Sequence, residues 1–233
     1  GLAITVGKED RITDTQDRAL LLLKEKGFSR KQVLHLWNDP DEDYFLRETV
    51  EDIVWLTEAV ASHNDLHEPL IVIRNTHEQR IEGATQVIIK ADNSAFLFAN
   101  LTTAFDRMNL SIQDARMYIL AEQQCLTTFM ILDDEGTPLH LNKQSMEQMR
   151  NVLLKYVTAT QALPGNSNMA ATRKQRHFIR NTLTTLTNSE AQPYSILEVL
   201  SPDRQGLLAV IAHIFVDMGI ILHNAKITTL GEN

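Results

Sequence analysis

The residues best placed to do chemistry lie together in Ser201-Pro202-Asp203-Arg204-Gln205-Gly206-Leu207-Leu208. The proline and the apolar run behind it predict a strand-to-helix turn, with Asp203 as helix cap and Gly206 in the first helical turn. A helix N-terminus presents free N–H groups and the positive end of its dipole, both of which favour a carboxylate. Gly206 leaves that backbone bare, so a ligand can approach it closely. A small amino acid suits such a turn, with its carboxylate on the helix N-terminus and its ammonium toward Asp203 and carbonyl oxygens. Arg204, Gln205 and Leu207 belong to the same turn, and Asn224 is the candidate to reach the ligand from the following strand. The same residues would equally make a well-capped helix whose glycine permits close packing, and the turn by itself does not choose between the two readings.

Other constellations lack a needed member. The sequence has no G-x-G-x-x-G, no G-x-x-x-x-G-K-[ST] and no G-x-S-x-G. Asp39-Pro40-Asp41-Glu42-Asp43 starts like a calcium loop, but Tyr44 and Val50 stand where that loop needs Gly and Glu, so it reads as a solvated acidic turn. His63 and His67 have helical spacing, with Asn64 where a metalloprotease has Glu; a surface pair is the better reading. Cys125 is the single cysteine and has no sequence-local base, which fits a buried thiol and rules out an intramolecular disulfide. No catalytic residue, metal site or cofactor is expected in this chain.

Composition narrows the class. The 233 residues are 43% hydrophobic, enough for one or two packed domains. Thirty acidic against 22 basic residues give a formal charge of -8, which repels a phosphate backbone. Nucleic acid is therefore not expected as a partner. Arg173-Lys174-Gln175-Arg176-His177 is the one concentrated basic run and sits in a polar linker. The longest apolar stretch, Leu207 to Val216, is half of the roughly 20 residues that span a bilayer, and no secretory signal opens the chain. A cytoplasmic location without membrane contact is the expectation.

The elements that must position the turn can be read from periodicity. A helical segment over 1–68 is predicted: one helix capped at Thr13 or Asp14 and stopping at Gly27, one capped by Ser29, and one opened by Thr49 with Asp52 and ending at Ser62. From Leu70 the period changes to strand. Leu70 to Ile73 and Thr85 to Ala91 read as strands, Ala95 to Met108 as a helix, and Leu110 to Ala121 and Cys125 to Leu132 as strands. A helix near Lys143 to Val157 follows, then a Thr-rich strand near Phe178 to Leu186 that could close the unit. The order is the ferredoxin-like βαββαβ arrangement, giving an α+β fold with a first domain over 69–190.

That unit repeats. With Met218 laid on Met108 (218 − 108 = 110), Leu97, Leu101, Ala104, Phe105 and Met108 align with Leu207, Ile211, Ile214, Phe215 and Met218. The match continues through Leu110, Ile112, Ala115 and Met117 onto Ile220, Leu222, Ala225 and Ile227. The step from 112 to 115 is three, so a bulge is predicted at Gln113-Asp114 and again at His223-Asn224. The second copy, over 191–233, breaks off after its second strand. Ile220 to Leu230 is accordingly expected to be shifted, paired with another chain or poorly ordered, and exposed sheet edges could support a homo-oligomer. The turn of the first copy, Asp92-Asn93-Ser94-Ala95-Phe96, has a large ring where the second has Gly206, so Asp92, Asn93, Ala95, Phe96 and Asp114 are weaker candidates for ligand binding.

Two such units with Asp-Arg-Gln-Gly-Leu-Leu at a strand-helix turn resemble tandem ACT domains, small regulatory modules that bind amino acids. Asp43-Tyr44-Phe45-Leu46-Arg47, Val54-Trp55-Leu56, Ala95 to Ala99, Asn109 to Arg116 and Ala225 to Glu232 further resemble the C-terminal part of the bifunctional PII uridylyltransferase/uridylyl-removing family. The resemblance implies a nitrogen sensor that uridylylates the PII signalling protein when glutamine is scarce and reverses this when it is plentiful. It implies Mg2+ for the parent enzyme, glutamine as ligand, and a regulatory fragment without the catalytic motifs. A stand-alone tandem ACT protein, binding an amino acid or a partner with no enzyme attached, is the alternative.

Overall fold

The computed structural model describes residues 7–37, 42–63, 68–76, 83–120, 123–165, 182–188, 194–202, 204–223 and 225–228. The chain opens with α1 (Lys8–Glu25), α2 (Arg30–Leu36), α3 (Glu42–Arg47) and α4 (Val50–Ala61). Helix α1 starts a turn or more before the expected Thr13 or Asp14, at the N-cap Gly7. Thr13 and Thr15 instead return their hydroxyls to the carbonyls of Glu9 and Arg11 inside the helix. Gly27, at φ +94°, ends this run, and Ser29 forms a reciprocal capping box with Gln32. Thr49 caps α4 by accepting from the Asp52 amide. Helix α3 begins at Glu42, within the last two residues of the stretch offered as an acidic turn, and runs on to Arg47.

The strands are β1 (Leu70–Thr76), β2 (Ala84–Asp92), β3 (Ser111–Ile119), β4 (Gln124–Leu132), β5 (Leu183–Asn188), β6 (Ser195–Leu200) and β7 (Ala225–Thr228). The helices among them are α5 (Leu97–Arg107), α6 (Lys143–Val157) and α7 (Leu207–Asp217). All strand pairs are antiparallel. They form a five-stranded sheet in the order β1-β2-β4-β3-β7 and a separate β5-β6 pair. The fold is α+β, and β2-α5-β3-β4-α6 has the ferredoxin-like order.

One expectation is corrected. The strand offered as closing the first unit forms, but as β5 it pairs with β6, because the edge beside β2 is already held by β1. Each copy therefore carries its own leading strand. The second copy makes no four-stranded sheet of its own: β7 lies apart from β5-β6 and pairs, not with another chain, but with β3 of the first copy, through Asp114↔Thr228, Ala115↔Ile227, Arg116↔Lys226 and Met117↔Ala225. The first bulge is present where the three-residue step placed it, with the β3-β4 register shifting between Ile112 and Asp114. Of the second, Asn224 lies outside the described residues, and strand pairing begins only at Ala225.

The five-stranded sheet is buried on both faces. Helices α5, α6 and α7 cover one face over Val87, Ile89, Ala115, Met117, Phe129 and Ile131. Helices α1–α4 cover the other, where Tyr44, Phe45 and Leu56 meet Ile88, Tyr118 and Leu126. This is why β2 is buried at nearly every position, Thr85 and Gln86 included. Phe129 is fully buried, its ring 4.8 Å from that of Phe105 and 6.2 Å from that of Phe98. Arg74 of β1 fastens the helical layer, lying 3.6 Å over the Trp55 ring while bonding to Asp52 and Gln86.

Phe129→Ala is expected to cost about 3–5 kcal/mol, read as a lowered urea midpoint, because the cavity falls where both aromatic neighbours lose contacts. Cys125 is fully buried, and burial pushes its thiol up to about 11. It should resist a thiol reagent in the folded protein and react once urea unfolds the chain.

Candidate functional site

The turn before α7 is built differently from its sequence reading. Gly206 is the N-cap itself, in the left-handed region at φ +75°, and the helix starts at Leu207. The Leu207 amide donates to the Arg204 carbonyl at 3.1 Å, and the Val210 amide to the Gly206 carbonyl at 3.0 Å. Arg204 and Gln205 are exposed, Gly206 and Leu207 half-buried. Asp203 and Asn224 lie outside the described residues.

What faces this turn comes from the other copy. A Cβ added to Gly206 would lie 3.0 Å from Asp106 Oδ1 and 3.2 Å from Asp106 Cγ. Gln205 Nε2 donates to Asn109 Oδ1 at 3.1 Å. Asp106 is 8% exposed and stands at the end of α5, so its carboxylate takes the place beside the N-terminus of α7 that the sequence reading gave to a ligand. Asn109 holds φ +55° directly after α5 and turns the chain into β3.

Neither residue was a candidate from the sequence. The signal was available in the repeat, because two copies joined through equivalent strands must place the start of one helix beside the end of the other. The contacts follow that rule: Thr103 Oγ1 and His213 Nε2, 110 residues apart, meet at 2.9 Å between α5 and α7. Arg116 and Lys226, equivalent under the same offset, face each other across β3 and β7.

The first-copy candidates separate. Asp92 is exposed and accepts from Gln124 at 3.4 Å, while the Asn93 amide donates to the Gln123 carbonyl at 2.7 Å. Ala95 is exposed, and Phe96, half-buried, takes the N-cap place of α5 with an ordinary φ of -100°. Asp114 is not brought to them. It lies at the bulge, five residues before the end of β3, roughly 17 Å along an extended strand from the end that faces this turn. Its carboxylate is 3.4 Å from Arg116 Nε instead.

Arg116 also donates from Nη1 to Glu48 Oε1 at 3.0 Å, and the Tyr118 hydroxyl donates to the same oxygen at 3.3 Å. Burial raises the pKa of Glu48 above the usual carboxylate range, and the attraction of Arg116 only partly offsets it. Among the described residues, His63 Nε2 meets the Glu68 carbonyl at 2.8 Å, and no three His, Cys, Asp or Glu side chains form a metal-holding group. His67 and the basic run Arg173 to His177 lie outside the described residues. No described helix is long and apolar enough to cross a membrane.

Residues 7–59, which span α1 through nearly all of α4, match the family described as the uridylyltransferase GlnD fifth domain. The whole chain aligns with the bifunctional uridylyltransferase/uridylyl-removing enzyme of Azotobacter vinelandii at 38% identity over 232 residues. The chain is related to these enzymes along its whole length. The enzymes of Pseudomonas aeruginosa and Stutzerimonas stutzeri match over the same 232 residues at 36% and 34% identity. In each case the chain spans about a quarter, 26%, of the relative's length. No solved structure matches it.

Two outcomes follow. Gly206→Ala should destabilise the protein by about 1–2 kcal/mol in urea, since an L side chain resists this backbone conformation and its Cβ meets Asp106. The raised pKa of Glu48 means that the folded state holds this proton more tightly than the unfolded chain does. Its stabilising contribution is full below the ordinary carboxylate value of 4.5 and is lost as the pH rises through the raised value. Glu48→Gln should flatten this part of the decline in Tm between acidic and neutral pH.

Proposed function

We propose that the chain is the glutamine-sensing regulatory region, built of tandem ACT domains, of an enzyme that uridylylates and deuridylylates the PII signalling protein. The reading is supported by full-length similarity to bifunctional uridylyltransferase/uridylyl-removing enzymes, together with an internal repeat whose two copies meet at a turn with bare backbone. Uridylyl transfer and hydrolysis, with the Mg2+ they require, belong in this reading to the remaining three quarters of the enzyme. PII is the partner of that whole enzyme, and the setting is the cytoplasm.

The observation that carries the ligand assignment is the buried carboxylate of Asp106 against Gly206. It changes the orientation expected from the sequence. The amino acid presents its ammonium to Asp106, whose carboxylate already holds the place beside the N-terminus of α7, with Gln205 and Asn109 beside its polar ends. Binding spans both copies, so ligand favours the state in which α5 and α7 are packed together.

Titration calorimetry with L-glutamine tests this, on the chain and on the full-length enzyme. Saturable heat is expected from both. Asp106→Asn, which keeps the shape and removes the charge, should weaken binding by about tenfold or more, matching the roughly 1.5–3 kcal/mol of a charged hydrogen bond. Absence of heat from the full-length enzyme would overturn glutamine sensing, and unchanged affinity in Asp106→Asn would move the site away from this turn.

A further inference from the structure

The outer face of β3 carries a charge cluster that the ligand site does not use. Arg116 is directly opposite Lys226 in the β3-β7 pairing, and such neighbours put their side chains on one face, where like charges repel. This is the face covered by α1–α4. There Arg116 meets Glu48 at 3.0 Å and Asp114 at 3.4 Å, with side chains only 16%, 13% and 16% exposed, so their attraction is less screened than at an open surface. Lys226 is exposed.

Glu48 occupies the corner between α3 and α4. Its amide donates to the Tyr44 carbonyl at 3.0 Å, and its neighbour Thr49 caps α4. The Tyr44 ring meets Tyr118 edge-on at 5.7 Å, and the Tyr118 hydroxyl shares the Glu48 oxygen with Arg116. One carboxylate thus ties the α3-α4 corner to two consecutive outward positions of β3.

We propose that Arg116 is a coupling residue: seating β7 on β3 brings Lys226 beside it and drives its guanidinium onto Glu48, so that pairing of the two copies tightens the α3-α4 corner. The coupling is reciprocal, so holding the corner in place also favours the paired strands. It depends on charges already in the fold, and holds whatever ligand binds at the α7 turn.

Hydrogen exchange read by mass spectrometry on the chain tests it with Lys226→Glu, Glu48→Gln and the double variant. Lys226→Glu gives Arg116 an anion across the strands and should raise exchange at residues 44–54 by about fivefold, the lower end of typical coupling. Glu48→Gln should produce the same rise there and a reciprocal rise at residues 225–228. Adding Lys226→Glu to Glu48→Gln should then change residues 44–54 no further. Lys226→Met, which removes the cation without adding an anion, should give a smaller rise in the same region, and serves as the test if the glutamate variant loosens β7 altogether. Changes confined to residues 111–119 and 225–228 in both Lys226 variants would overturn the proposal, as would an equal further rise in the double variant.

Discussion

The antiparallel pairing of β3 with β7 is the constraint on which the rest of the molecule depends. Among the described residues four pairs make it, and they fix how the two copies meet. When a strand pairs antiparallel with its own structural equivalent, it creates an approximate two-fold axis, and residues on that axis meet their counterparts. Arg116 then faces Lys226 in the sheet and Thr103 meets His213 between the helices. The same axis sets the beginning of α7 against the end of α5, which is why Asp106 and Asn109 of the first copy face the Gly206 turn.

The two copies share a plan and differ in cover. In the first, Ala104 and Phe105 of α5 are fully buried. In the second, their relatives on α7 are less sheltered: Ile214 is 46% exposed and Phe215 only half-buried. Every residue of β5 and β6 is exposed as well. The first copy is enclosed because α6 packs over α5 and the helical segment closes the opposite face of its sheet. This difference makes the first copy a rigid base and leaves the α7 turn as the element whose position the inter-copy contacts decide.

Much of this was legible in the sequence, for identifiable reasons. The stripe from Leu97 to Met108, its match at Leu207 to Met218, and the three-residue step at Ile112 to Ala115 are local patterns, and local patterns report helices, strands and a bulge directly. Pairing is not local. Nothing in the Thr-rich run of β5 states that β1 already holds the edge beside β2, so β5 was given to the wrong copy. The grouping of Asp114 with Phe96 has the same origin: the repeat set them together, whereas the place of Asp114 toward the far end of β3 follows only from strand direction. Asp106 was passed over because, read along α5, it is one polar residue near a helix end. Its meaning comes from the other copy.

The central claim is that the two copies are joined within one chain through β3 and β7. Methyl-resolved nuclear Overhauser contacts test it most directly. Contacts from Ala115 to Ile227 and from Met117 to Ala225 should appear in dilute protein and be absent from an isotope-filtered mixture that reports only contacts between chains. Their absence from the dilute sample, or their appearance in the filtered mixture, would contradict the account.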